Sequence, residues 1–136
     1  MYIKKNWISK HFKSFLQEER NLNFTPAIIH GDFDTSNILV NPKTFMITRI
    51  IDFEESRLFD PAADFLFYEQ GDSFLKKILI SYQKLKDSNF ETRMKFLYGY
   101  TCLHYIKFGV ENKISDMIKA GFQILKYITT KFKSIH

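Results

Sequence analysis

The sequence predicts a mainly α-helical α+β domain, and three observations carry that expectation. Apolar residues recur at three- and four-residue intervals at the start of the chain and again through its second half. Between these stretches lie short β-branched runs, Ala27-Ile28-Ile29, Ile38-Leu39-Val40 and Met46-Ile47-Thr48-Arg49-Ile50-Ile51, separated by polar loops. A content of 45% hydrophobic and 17% aromatic residues over 136 positions is enough to fill one core.

Each element follows from its local pattern. Residues 2–20 place Ile3, Trp7, Ile8, Phe12, Phe15 and Leu16 on one side with Lys4, Lys5, Lys10 and Lys13 between them, an amphipathic helix. Asn21 to Pro26 breaks it, and Ala27 to Ile29 reads as a short buried strand leading into a polar loop. The next two β runs form a hairpin about the turn Asn41-Pro42-Lys43-Thr44. Asp60-Pro61 is an N-cap and first-turn pair, because the Asp oxygen accepts from free amides and Pro has no amide to lose, so a helix is expected to about Glu69. Gly71-Asp72-Ser73 restarts the chain for a helix to about Leu85, and Ser88-Asn89-Phe90-Glu91 resembles a capping box opening another to about Phe108. Gly109 to Lys113 interrupts, and a last helix is expected over 114–132. No repeat, low-complexity linker or internal boundary appears, so residues 1–136 are expected to form a single domain.

Charge is unevenly shared. The net charge is +5, yet residues 28 to 72 carry nine acidic side chains against three basic ones, and residues 84 to 136 carry ten basic against four acidic. Those later lysines are spread through helical patterns rather than gathered into an arm, which favours a solvated surface over a nucleic-acid-binding one. No apolar run reaches the length that spans a bilayer, and no apolar segment with a cleavage site follows Met1-Tyr2-Ile3-Lys4-Lys5. Cys102 is the sole cysteine, which excludes an internal disulfide and makes a cytoplasmic location the expectation.

The chemistry is concentrated in His30-Gly31-Asp32-Phe33-Asp34-Thr35-Ser36-Asn37 and in Ile50-Ile51-Asp52-Phe53. Kinase catalytic loops use an Asp to take the substrate hydroxyl proton, an Asn five residues on to hold Mg²⁺, and a second Asp after a following hairpin to bridge Mg²⁺ to phosphate. Asp32, Asn37 and Asp52 stand in that order and spacing. Hard Mg²⁺ requires oxygen ligands, and Asn adds one without adding anionic repulsion. Alone, each residue is a common turn former; in combination they point to phosphoryl transfer.

His-Gly-Asp-x-x-x-x-Asn followed by Ile-Asp-Phe resembles the aminoglycoside phosphotransferase and choline kinase superfamily, whose members share the protein-kinase fold. Gly31 stands where protein kinases carry Arg, which turns the reading towards small-molecule acceptors, and Asp60-Pro61-Ala62-Ala63-Asp64-Phe65 is similar to the helix start this superfamily places after its metal-binding Asp. Glu54 departs from the protein-kinase form of the second metal motif, which has Gly there. The resemblance is sharp over residues 30 to 65.

The resemblance implies the C-terminal lobe of a protein-kinase-like fold, with a short β-hairpin carrying the catalytic and metal-binding loops (30–65) and a helical, substrate-side region (66–136). An N-terminal nucleotide lobe is expected to be absent, since only about 29 residues precede the loop and the first glycine is Gly31. It further implies transfer of the γ-phosphoryl group of ATP or GTP to a small-molecule hydroxyl, with Asp32 as base and Asn37 and Asp52 holding Mg²⁺ and the nucleotide phosphates. An aminoglycoside leads as acceptor, its ammonium groups drawn to Asp34, Glu54 and Glu55; choline, another amino alcohol or a sugar are the alternatives. Asp60 and Asp64 are expected as a helix cap and a buttress of the loop, His30 as scaffold, and Thr35 and Ser36 as backbone ties. Core packing is the expectation for Phe12, Phe15, Phe65, Phe67, Tyr68, Phe96, Tyr98, Tyr100, Tyr105 and Phe108, most of which stand at helical spacing, with Cys102 and His104 buried or half-buried in the same segment. A second reading is a non-catalytic regulatory domain whose apolar docking face is covered by the missing lobe or by a partner. The isolated chain is expected to be inactive.

Overall fold

A computed structural model describes residues 2–82 and 86–132. Its internal contacts gather into two compact units, Met1–Asn23 with Ser88–His136, and Phe24–Asp87. The first is helical: α1 (Tyr2–Gln17), α3 (Phe90–Glu111) and α4 (Ser115–Lys131). The second holds strands β1 (Ala27–Ile29), β2 (Ile38–Val40), β3 (Ile47–Ile50) and β4 (Arg57–Phe59), several 3-10 turns, and α2 (Asp72–Ser81). Among the described residues no helix is long and apolar enough to cross a membrane.

In the helical unit α1 stops at Gln17 rather than near residue 20, and Glu19–Asn21 forms a separate 3-10 turn. Glu18 is extended there (φ −99°, ψ 99°), and the Asn21 amide turns back to donate to the Phe15 carbonyl at 3.0 Å, satisfying a helix-end acceptor. Phe15 is buried and stacks on Phe96 of α3 at 3.8 Å. The α3–α4 pair packs closely because Gly109 and Gly121 leave room: a Cβ at Gly121 would lie 2.6 Å from Ile106 Cγ1. Phe90, Met94, Tyr98, Cys102, Ile124 and Ile128 fill the core of this unit.

Two expectations for α3 change. Asn89 rather than Ser88 is its N-cap, and the Asn89 amide donates to the Arg20 carbonyl at 3.1 Å instead of capping the helix. Gly109 does not end α3, which continues to Glu111; its missing side chain serves the contact with Ile118 and Ile114 of the α4 region. Tyr100 and Phe108 were expected in the core and His104 buried or half-buried, and all three are exposed.

In the second unit the predicted hairpin is present, with Ile38 opposite Ile50 and a register shift between Leu39 and Val40. Its turn is built by Asn41, whose side-chain oxygen accepts from the Lys43 and Thr44 amides at 2.9 and 3.2 Å. β1 pairs antiparallel with β4, a strand the hydrophobic pattern did not reveal. Ile29 is buried as expected, worth about 1.5–3 kcal/mol for such a side chain, whereas Ile28 is 83% exposed, so only one side of this strand meets a core. Past Asp60 the chain forms two 3-10 segments, Pro61–Phe65 and Phe67–Gln70, rather than one α-helix, with Leu66 (φ −81°, ψ 35°) interrupting them. α2 begins at Asp72 as expected and runs to Ser81; the expected end near Leu85 lies outside the described residues.

Candidate active site

The loop 30–37 leaves β1 and enters β2 through a 3-10 turn, Thr35–Asn37. Gly31 makes the first bend at φ +87°, and a Cβ there would collide with the Glu55 carbonyl oxygen, so only glycine fits both the conformation and the space. The turn is capped by Asp34, whose Oδ1 accepts from the Ser36 amide at 2.8 Å.

Asp64 holds the start of the loop. Its two carboxylate oxygens accept from the His30 amide at 2.7 Å and the Gly31 amide at 3.0 Å, one oxygen per donor. This spends Asp64 on backbone support, in keeping with its expected role, and Asp60 caps its 3-10 turn by accepting from the Ala62 amide at 3.0 Å. His30 is fully occupied as scaffold. Its Nε2 pairs with the Ile51 carbonyl at 2.8 Å, its Nδ1 faces the Asp32 amide at 3.4 Å, and its ring lies 4.6 Å from that of Phe53. This network assigns the proton to Nε2, which then donates to Ile51.

Asn37 is buried and its Nδ2 donates to the Asp32 carbonyl at 2.8 Å and to Asp32 Oδ2 at 3.3 Å. Asp32 and Asn37 are therefore brought together by direct contact. Because the amide nitrogen points at Asp32, the amide oxygen is turned the other way and receives no hydrogen bond among the described residues. Asp52 is tied to the same loop through its neighbours: the Ile51 amide donates to the Asn37 carbonyl at 3.0 Å, and His30 grips the Ile51 carbonyl. Asp52 itself is left-handed (φ +63°), a conformation costing a non-glycine residue about 1–2 kcal/mol and found preferentially at functional turns.

These oxygen donors suit Mg²⁺, which binds through one or two protein side chains and completes its shell with water and phosphate. Among the described residues no three His, Cys, Asp or Glu side chains gather into a self-sufficient cage. The acidic residues expected to meet a cationic acceptor differ in availability. Arg57 Nη1 reaches the Glu55 carbonyl at 2.9 Å and Glu55 Oε2 at 3.6 Å, so Glu55 is already paired. Asp34 spends one oxygen on its cap, whereas Glu54 makes no ion pair among the described residues. Arg57 was missed by sequence reasoning: Glu54-Glu55 form a turn and Arg57 opens β4, so their pairing depends on the turn geometry and not on a local repeat.

The model of the phosphotransferase enzyme family matches residues 5–85, more than half of the chain. The chain belongs to this family. Among solved structures it resembles the GDP and kanamycin complex of APH(2")-IIia, with a TM-score of 0.82 and 20% identity over 98% of this chain and 46% of that one. It also resembles the GDP complex of wild-type aminoglycoside 2'-phosphotransferase-IIIa (TM-score 0.74, 20% identity, 91% of this chain and 43% of that one). A third likeness is to the gentamicin complex of APH(2")-IIa (TM-score 0.64, 21% identity, 98% of this chain and 45% of that one). The chain thus spans less than half the length of each, and its fold is that of their C-terminal, kinase-like lobe. No curated protein sequence matches the chain.

Proposed function

We propose that this chain is the catalytic and acceptor-binding lobe of a small-molecule kinase that moves the γ-phosphoryl group of a nucleoside triphosphate to a hydroxyl of an aminoglycoside. The observation that carries this reading is the lock between Asn37 and Asp32, with left-handed Asp52 tied to the same loop through Ile51. Asp32 is the base: the Asn37 amide fixes one of its carboxylate oxygens and leaves the other to take the acceptor's proton. Asn37 Oδ1 and the Asp52 carboxylate would hold Mg²⁺. When bound, the ion offsets the charge that builds on the phosphoryl oxygens. Asp64 and His30 keep the loop in its working pose, so that catalysis rests on positioning and electrostatics.

The relatives' GDP, kanamycin and gentamicin complexes make a guanosine nucleotide and an aminoglycoside the first donor and acceptor to test, ahead of ATP, choline or a sugar. The reaction requires a nucleotide lobe, and the exposed apolar side chains of the hairpin are read as the face that would meet it. Val40, Phe45, Met46 and Ile47 of the hairpin are 47–81% exposed, a contiguous apolar strip of the kind that marks a docking face. Cytoplasmic nucleotide pools would supply the donor.

Paramagnetic broadening tests the reading on the chain itself. Mn²⁺ added with GDP should broaden the amide signals of residues 32–37 and 51–53 first, and Asn37→Ala or Asp52→Ala should remove that selectivity. Uniform broadening, or broadening centred elsewhere, would overturn the metal assignment. With the nucleotide lobe supplied, Asp32→Ala should lower Mg²⁺-dependent kanamycin phosphorylation by about 10²–10⁴-fold while leaving the Mn²⁺ pattern intact.

A further inference from the structure

The β1–β4 ladder pairs Ala27 with Phe59, Ile28 with Leu58 and Ile29 with Arg57. The same register runs on beyond the strands and into the loop 30–37. Ser56 Oγ donates to the His30 carbonyl at 3.4 Å, and the Glu55 carbonyl oxygen lies so close to Gly31 that a Cβ there would collide with it. Residues 57, 56 and 55 thus meet 29, 30 and 31 one for one, in antiparallel order. The Gly31 amide is taken by Asp64 and so cannot hold the Glu55 carbonyl. Arg57 holds it instead. Its Nη1 donates to that carbonyl at 2.9 Å and lies 3.0 Å from where a Gly31 Cβ would stand.

The guanidinium is itself placed by its neighbours, over the Phe59 ring at 5.5 Å and beside Glu55 Oε2 at 3.6 Å. The Glu55–Ser56 peptide is then tied at both ends, its N–H to the Phe53 carbonyl at 3.1 Å and its carbonyl to Arg57. Gly31, bent at φ +87°, directly precedes Asp32 and has the widest conformational choice of any residue type. What presses on it therefore decides the direction in which the chain enters Asp32. Asp64 restrains its amide, and the Glu55 carbonyl restrains its α-carbon. We propose that Arg57 is a positioning residue for this loop: by holding the Glu55 carbonyl against Gly31, it fixes the pose of Gly31 and Asp32. The inference rests on the phosphotransfer reading for the role of Asp32, and it adds a side chain outside the loop on which that role depends. Stability is not the purpose of the contact, since an exposed ion pair and one surface hydrogen bond contribute little.

Relaxation-dispersion NMR on the chain tests the pose. The Gly31 and Asp32 amides should give flat profiles in the parent. Arg57→Met keeps an unbranched stem without a donor, and should bring microsecond-to-millisecond exchange to these two amides while those of Ile28 and Leu58 in the ladder stay flat. Arg57→Lys restores one N–H donor and should return the flat profiles. Flat profiles in Arg57→Met, exchange spread through the whole ladder, or no rescue by lysine overturns the inference. With the nucleotide lobe supplied, Arg57→Met should lower kcat for kanamycin phosphorylation by about 10–100-fold without raising the KM for kanamycin, because the loop is misplaced while no acceptor contact is lost. A raised KM with unchanged kcat would make Arg57 an acceptor contact and overturn the positioning role. The two claims fail separately. If the parent phosphorylates no acceptor while Arg57→Met still disturbs Gly31 and Asp32, the phosphotransfer reading falls and the clamp on the loop stands. If the parent is active and Arg57→Met matches it in kcat, the reading stands and the inference falls.

Discussion

At the scale of single residues, burial and strain mark the side chains whose chemistry is constrained. His11 is 5% exposed, and neither ring nitrogen has a hydrogen-bond partner among the described residues. Burial lowers its pKa from the usual 6.5; the Lys95 backbone offsets part of this without reaching hydrogen-bond geometry, and the Lys95 ammonium adds to the lowering. Below pH 6.5 the unfolded chain takes up a proton that folded His11 resists, so stability falls with falling pH across the interval down to the depressed value. Trp7, the sole tryptophan, stacks on His11 at 4.7 Å and 13° and reports the event, since a protonated imidazole quenches indole emission. Its fluorescence should drop with a midpoint below 6.5, and His11→Phe should abolish the transition; a midpoint above 6.5 would contradict the burial argument. Asp64 makes a second case. Asp64→Asn turns one acceptor into a donor facing a backbone N–H, and should cost about 1–3 kcal/mol by urea unfolding. The role of Asp64 was legible in the sequence through the Asp60-to-Phe65 pattern, whereas the isolation of His11 was not, because no local pattern states which partner a helix histidine will lack.

At the scale of elements, glycines decide how closely helices approach. Gly121→Ala would place a methyl 2.6 Å from Ile106 Cγ1 and 3.0 Å from the Cys102 carbonyl, and neither the backbone nor a β-branched neighbour can move cheaply. Calorimetry should show a loss of about 1–3 kcal/mol, despite the better helix propensity of alanine. Cys102 in the same seam donates to the Gly121 carbonyl, and burial pushes its thiol up to about 11. A thiol reagent at neutral pH should therefore react only at the rate of unfolding in the parent and faster in Gly121→Ala. Helices α1, α3 and α4 were readable because apolar periodicity is a local property of long segments. β4 was not: Arg57-Leu58-Phe59 is three residues long and follows Glu54-Glu55-Ser56, so nothing but its pairing with β1 makes it a strand. The segment after Asp60 failed differently. Its cap was recognisable, but the type of helix depended on Asp64 being claimed by the loop amides of His30 and Gly31, a long-range contact.

At the scale of the whole molecule, charge distribution sets what the acceptor must overcome. A chain of net charge +5 repels a polycation at long range, so under the proposed reading a cationic acceptor would have to be drawn by the locally acidic stretch from 28 to 72, within about the 10 Å Debye length at 0.1 M salt. Within that stretch the motif residues were legible in order and spacing, but the sequence ranked Glu54 and Glu55 alike. The structure separates them, because Arg57 sits 3.6 Å from Glu55 while Glu54 has no such neighbour among the described residues. An exposed pair of this kind contributes only about 0–1 kcal/mol to stability, yet it weakens the field that Glu55 offers a cationic ligand by placing an opposite charge beside it. Glu54→Gln should therefore weaken kanamycin binding several-fold and flatten its salt dependence, while Glu55→Gln should have a smaller effect because it also frees Arg57. Removing the cation with Arg57→Gln should tighten kanamycin binding by restoring Glu55. A neutral disaccharide such as trehalose should respond to none of the three changes. Calorimetric titrations of both ligands at two ionic strengths decide the matter: equal losses for kanamycin and trehalose would show that these carboxylates act through local structure and not through their charge.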